Sequence, residues 1–97
     1  MNIILDYGHG ALHPTTGQYV TAGKRMVKDG IEFYEGVNNR IVGEMVKEAL
    51  EAKGHTIIET AHTWIDVKLW ERVKIANEVD DAILISIHSD AHGNGRE

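Results

Sequence analysis

The segment that most constrains this chain is its first ten residues, where Ile3, Ile4 and Leu5 form an unbroken apolar run that soon gives way to Gly8-His9-Gly10. Two of the three are β-branched and no polar residue interrupts them, which is how a strand buried on both faces of a sheet reads. Such a strand belongs in the middle of a sheet. The two glycines free the backbone where it ends, so that a turn can aim His9 out of the sheet edge. A second segment repeats the design. Ala82 to His88, AILISIH, is a run of strand formers ending in a histidine, and the polar Ser89-Asp90-Ala91-His92-Gly93 follows it. In open α/β sheets ligands sit beyond the carboxyl ends of parallel strands, so His9 and His88 are candidates to meet at one site.

The residues between them read as the means of bringing them together. Ala11 to Gly30 is rich in Gly, Thr, His and Lys and has no clear period, so it is expected to be mostly loop, with Gln18 to Ala22 as the best edge-strand candidate. Lys24 and Arg25 lie in it. They could pair with an anionic substrate group, but the residues alone favour two solvated charges on a loop. From Glu35 to Lys53, Val37, Ile41, Val42, Met45, Val46, Ala49 and Leu50 recur at spacings of three and four, which predicts an amphipathic helix ended by Gly54. His55 to Thr60 predicts the next strand. Asp66 is placed to cap a second helix from about Val67 to Val79, with Leu69, Val73 and Ala76 on one face and Trp70 close to it. Strands alternating with helices give an α/β fold, a largely parallel sheet with helices packed on its faces, as a single domain over residues 1–97.

Composition narrows the chemistry. Ninety-seven residues make one domain at most, and 42% hydrophobic with 26% charged residues describes a globular chain. No apolar run approaches the roughly 20 residues of a membrane helix. A formal net charge of −5, with no basic stripe, argues against nucleic acid as a partner. The chain opens directly on a strand after Met1, so no signal peptide is visible and synthesis in the cytoplasm is expected. Zero cysteines leave His, Asp and Glu as the metal-ligating side chains. Of the six histidines, His13, His55, His62 and His92 read as surface or packing residues, whereas His9 and His88 stand at strand ends beside flexible turns. Two histidines want a carboxylate beside them to hold a metal. Glu35, at the start of the predicted helix, is the candidate, although a first-turn glutamate favoured by the helix dipole reads equally well from spacing alone.

The ordered motifs go further. Gly8-His9-Gly10, Glu35 with Asn39-Arg40, Asp66 with Leu69, Arg72, Ala76 and Asn77, and Ser86-Ile87-His88-Ser89-Asp90-Ala91 resemble the zinc-dependent N-acetylmuramoyl-L-alanine amidase family of the amidase_3 type, found in bacteria and their phages. The resemblance spans nearly the whole chain. It implies that His9, Glu35 and His88 bind Zn2+, and that the family reaction is hydrolysis of the amide between N-acetylmuramic acid and L-alanine in peptidoglycan by a zinc-activated water. An extended, anionic glycan-peptide would need an open groove, for which Ala11 to Gly30 is the candidate wall, with Lys24 and Arg25 expected to contact peptide or lactyl carboxylates.

Two departures accompany it. Tyr7 stands where the family often has proline or asparagine. Family members also continue for several dozen residues past the Ser-Ile-His motif to a late glutamate that serves as acid and base. Glu97, nine residues after His88 and with no strand before it, does not match that glutamate. The expectation is therefore a chain truncated before the last helix and strand of the family fold, with no assignable catalytic residue. An uncovered sheet edge would then invite self-association. The setting expected is the cell wall, reached as a phage lysin is or by another export route, with no membrane partner. Two other readings stand beside it: a zinc-holding or wall-binding module without turnover, and a flavodoxin-like domain with Gly8 to Gly10 as an anion-binding turn.

Overall fold

A computed structural model describes residues 1–89, and the readings that fall on Asp90, Ala91, His92 and Glu97 lie outside the described residues. The elements are β1 (Asn2–Tyr7), β2 (Arg25–Lys28), β3 (Ile31–Tyr34), α1 (Glu35–Ala52), β4 (Thr56–Glu59), α2 (Leu69–Asn77) and β5 (Ala82–Ile87). The protein is an α/β fold with a parallel three-stranded sheet in the order β4-β1-β5. Strand β1 is central, as its unbroken apolar run requires. Ile3 pairs in register with Ile57 on one side and Ile83 on the other, and the β5 pairing continues to Tyr7 opposite Ile87.

The core follows from the alternation of β1. Ile3, Leu5 and Tyr7 form the buried cluster, packed against Val46 and Leu50 of α1 and against Ile57, Ile85 and Ile87 of the flanking strands. Ile4 is buried as well, at 3% exposure, so both faces of β1 are covered. Each such side chain contributes about 1.5–3 kcal/mol by leaving water. Among the described residues no helix is long and apolar enough to cross a membrane.

Three expectations need correction. The segment Ala11 to Gly30 is mostly loop, as expected, but Gln18 to Ala22 does not form its strand. Only an isolated bridge joins Leu12 to Tyr19, and the strand lies at Arg25–Lys28, paired antiparallel with β3. The reason is the turn Asp29-Gly30, whose φ angles of 53° and 77° are both positive, as a two-residue hairpin turn demands. Secondly, α1 does not bury the full apolar stripe. Its buried residues are Glu35, Gly36, Asn39 and Gly43, while Ile41 and Met45 are more than half exposed. Finally, Asp66 does not cap α2. That helix starts at Leu69 with Lys68 at its N-cap and no side-chain cap bond, and its one buried residue is Arg72, not Leu69, Val73 or Trp70.

Candidate functional site

The parallel pairing of β1 and β5 brings the two histidine-bearing strand ends side by side. Gly8 donates its backbone N–H to the carbonyl of Ile87 at 3.0 Å, extending the ladder one step beyond the strands. His9 and His88 then meet almost edge to face, ring centroids 5.7 Å apart and planes at 81°. The backbone does this differently from the sequence expectation. His9 itself takes the left-handed conformation, φ 64°, and the flanking glycines do not. A Cβ at Gly8 would collide with the His88 ring, and one at Gly10 with Val20 and the backbone of Trp64 and Asp66. The glycines are needed for close approach, and His9 carries the strain, about 1–2 kcal/mol for a residue with a side chain.

Two arginines and an asparagine hold that turn. Arg40 donates to the carbonyls of His9 at 2.8 Å, Gly8 at 3.3 Å and Thr63 at 2.7 Å. Arg72 donates to Tyr7, to His9 at 3.1 Å and to Val67 at 2.7 Å. Asn39 adds a bond to the Gly8 carbonyl at 3.0 Å. From the other side the Thr21 hydroxyl accepts the Gly10 N–H at 2.8 Å and donates to Asp66 at 2.7 Å, which explains where Asp66 is used instead of at a helix cap.

Glu35 enters from the first turn of α1, 5% exposed, with Oε2 3.9 Å from His9 Nε2. The N–H groups of this turn are met by the loop, Glu35 N by the carbonyl of Lys24 at 3.0 Å and Gly36 N by the Tyr19 hydroxyl at 3.0 Å. The carboxylate therefore lies at the positive end of the helix and also faces His9, so the two readings of Glu35 describe one position. Burial lowers the pKa of His9 below its ordinary value, against the opposing pull of Glu35, with the charge of Lys24 adding to the lowering. The ring is neutral at neutral pH and keeps a lone pair to offer.

His9 thus stands beside both Glu35 and His88, the three coming from separate parts of the chain with two imidazoles and a carboxylate between them. Among the described residues, however, no three His, Asp and Glu side chains stand so as to hold a metal ion as they lie. His88 is exposed just beyond the end of β5. Lys24 is exposed, and Arg25 lies over the rings of Tyr19 and Tyr34 at 5.4 and 5.3 Å.

Residues 3–97 match the family described as N-acetylmuramoyl-L-alanine amidase, Amidase_3. The chain belongs to this family. Among solved structures it is similar to the catalytic domain of CwlV, an N-acetylmuramoyl-L-alanine amidase from Bacillus (Paenibacillus) polymyxa var. colistinus, with a TM-score of 0.69 and 22% identity over 95% of this chain and 46% of that one. At that identity the likeness is one of fold, and the chain spans about half the length of the structure it matches. No protein of curated function gives a significant match.

Within this amidase-family chain, sequence reasoning placed Asn39, Arg40 and Arg72 in motifs without giving them a task, and missed Thr21 and Tyr19. Arg72 did leave a signal. It sits three residues after Leu69 and four before Ala76, on the stripe expected to be apolar, where a charge is tolerated only with partners. Asn39 likewise shares a helix face with Gly36 and Gly43.

Proposed function

We propose that residues 1–97 form the metal-holding part of an amidase domain that cleaves the bond between N-acetylmuramic acid and L-alanine in peptidoglycan, with His9, Glu35 and His88 as ligands of a zinc ion. The observation that carries this reading is the convergence of those three side chains, His9 and Glu35 at 3.9 Å and His88 across from His9, in a chain of this family. Two imidazole nitrogens and one carboxylate oxygen are the donor set of an open zinc site. When bound there, zinc supplies a Lewis acid for the amide carbonyl and a water of lowered pKa.

The chain's own residues do the rest. His9 offers a neutral ring, and Glu35 supplies a negative charge held at a helix start. Arg40 is engaged by backbone carbonyls and Arg72 by carbonyls and two aspartates, so the positive charge for the lactyl and peptide carboxylates comes from Lys24 and Arg25. Asp6 and Asp66, which line one cleft with His9 and His88, are paired with Arg72. Such an enzyme works at the cell wall, reached through a permeabilised membrane or by export, and the open edge of its sheet favours pairing with a second copy.

Zinc content and muramoyl-amide hydrolysis, measured on the same samples, test the proposal. About one zinc per chain is expected, weakened at least tenfold by His9→Ala, Glu35→Ala or His88→Ala. In a hydrolytically active preparation Lys24→Ala with Arg25→Ala raises KM and leaves kcat. Absence of zinc, or zinc indifferent to all three ligand changes, would overturn the assignment.

A further inference from the structure

One asparagine side chain reaches both histidine-bearing turns. Asn39, one turn into α1, is wholly enclosed at 0% exposure. Its Nδ2 donates to the carbonyl of Gly8, the residue before His9, at 3.0 Å. Its Oδ1 accepts the hydroxyl of Ser89, the residue after His88, at 2.7 Å. Ser89 Oγ in turn accepts from Asn38 Nδ2 at 2.8 Å, so two successive side chains of one helix grip the end of β5. A single planar amide thereby spans the end of β1 and the end of β5, one arm to each.

The fit leaves little slack. A Cβ on Gly8 would fall 3.0 Å from Asn39 Nδ2 and would collide with the His88 ring, so the three groups are packed as closely as a glycine permits. The chemistry is also specific to asparagine. Aspartate would set an acceptor against the Gly8 carbonyl, alanine would abandon both bonds, and glutamine would need room that a fully enclosed site lacks.

We infer that Asn39 is a positioning residue that fixes the separation of the Gly8-His9 turn and the His88-Ser89 strand end, and so the facing of the two imidazoles. Its consequence for metal affinity rests on the ligand assignment proposed above; the ring placement itself does not. Substitutions in the shell that orients metal ligands weaken binding by about 10- to 100-fold.

The test therefore has a metal-free reading and a metal reading, taken on the whole 97-residue chain. In the absence of metal, a proton NOE between the His9 and His88 imidazoles is expected in the unaltered protein. It should be lost or strongly reduced in Asn39→Ala, while Ile41→Ala, on the exposed side of the same helix, retains it. Asn39→Asp keeps the Ser89 arm and Ser89→Ala keeps the Gly8 arm. Each is expected to weaken the NOE with a cooperative unfolding transition preserved, which decides the matter if Asn39→Ala fails to fold. With zinc added, the same variants should lose about tenfold or more in affinity. A folded Asn39→Asp and a folded Ser89→Ala that both keep the full NOE would overturn the inference, and unchanged zinc affinity in both, in a chain whose zinc depends on His9 and His88, would overturn its consequence for the metal. An NOE that depends on Asn39 in a chain that binds no zinc would uphold the positioning role while removing the metal reading.

Discussion

Arg72 shows how much of this site depends on one buried charge. Taking a guanidinium out of water costs several kcal/mol unless its donors are all engaged. Here they reach three backbone carbonyls, the Asp6 carboxylate at 3.1 Å and Asp66 at 3.5 Å. Asp6 is the counter-charge. Burial by itself would push its carboxyl up, but hydrogen bonds from Thr60, Arg72 and Ser86 outweigh that and hold it below its ordinary value of 3.8. A carboxyl whose pKa is depressed by folding contributes stability that is present above the unfolded value and lost as pH falls through the folded one. Asp6→Asn removes the charge and leaves Arg72 short of a partner, at a cost of about 2 kcal/mol near neutral pH. In urea unfolding, the gap between the two proteins should be widest near pH 7 and should narrow below about pH 4. A gap independent of pH would show that Asp6 contributes no ionic stabilisation.

At the scale of elements, what the sequence made legible was periodicity. The bounds of α1, β4 and β5 were readable because period 3.6 and runs of β-branched residues are local signals, and the side-by-side strand ends of His9 and His88 followed from parallel pairing alone. The hairpin β2–β3 was less visible because neither strand exceeds four residues, although Asp29-Gly30 between Val27 and Ile31 was there to be read. The buried face of α1 was misjudged for a different reason. Where a helix crosses a central strand closely, small residues win over apolar ones, and so Gly36 and Gly43 face inward while Ile41 and Met45 do not. The roles of Asn39, Arg40 and Arg72 depend on carbonyls more than 30 residues away, which no local pattern encodes. Gly43 allows a direct check. A Cβ there would enter the ring of Tyr7, whose hydroxyl is fixed on Glu59 at 2.7 Å and whose backbone leads into the His9 turn. Alanine gains about 1 kcal/mol of helix propensity but overpacks by about 1–3 kcal/mol or more. Gly43→Ala should therefore be less stable by about 1–2 kcal/mol in denaturant unfolding, the reverse of what alanine does in an open helix. A stabilised variant would mean that α1 and β1 lie further apart.

For the molecule as a whole, the sheet order β4-β1-β5 leaves two edges among the described residues, and they are not equivalent. β4 carries Glu59, bonded to Tyr7 and paired with Lys47 of α1 at 3.5 Å, so its border is charged. β5 is six residues, Ala82–Ile87, with neither charge nor proline along it. Ile83 and Leu84 on this edge, with Leu69 and Trp70 on α2, are between 48% and 76% exposed. An apolar strand edge with no charged guard is a template for another chain, and exposed neighbours on α2 enlarge the surface such pairing would bury. The chain by itself is therefore expected to self-associate as its concentration rises, the partner being a second copy laid along β5. Leu84→Lys puts a charge on that edge and should shift sedimentation velocity profiles toward monomer. Ile41→Lys, an equally drastic change on the exposed side of α1, should leave them unchanged. Equal dissociation by both substitutions would point to α1 as a further contact, and a chain monomeric at all concentrations would show that the β5 edge is guarded after all. Because His88 directly follows β5, association along it also stands beside the proposed zinc ligands, so the same profiles taken with and without zinc report whether pairing and metal binding are linked.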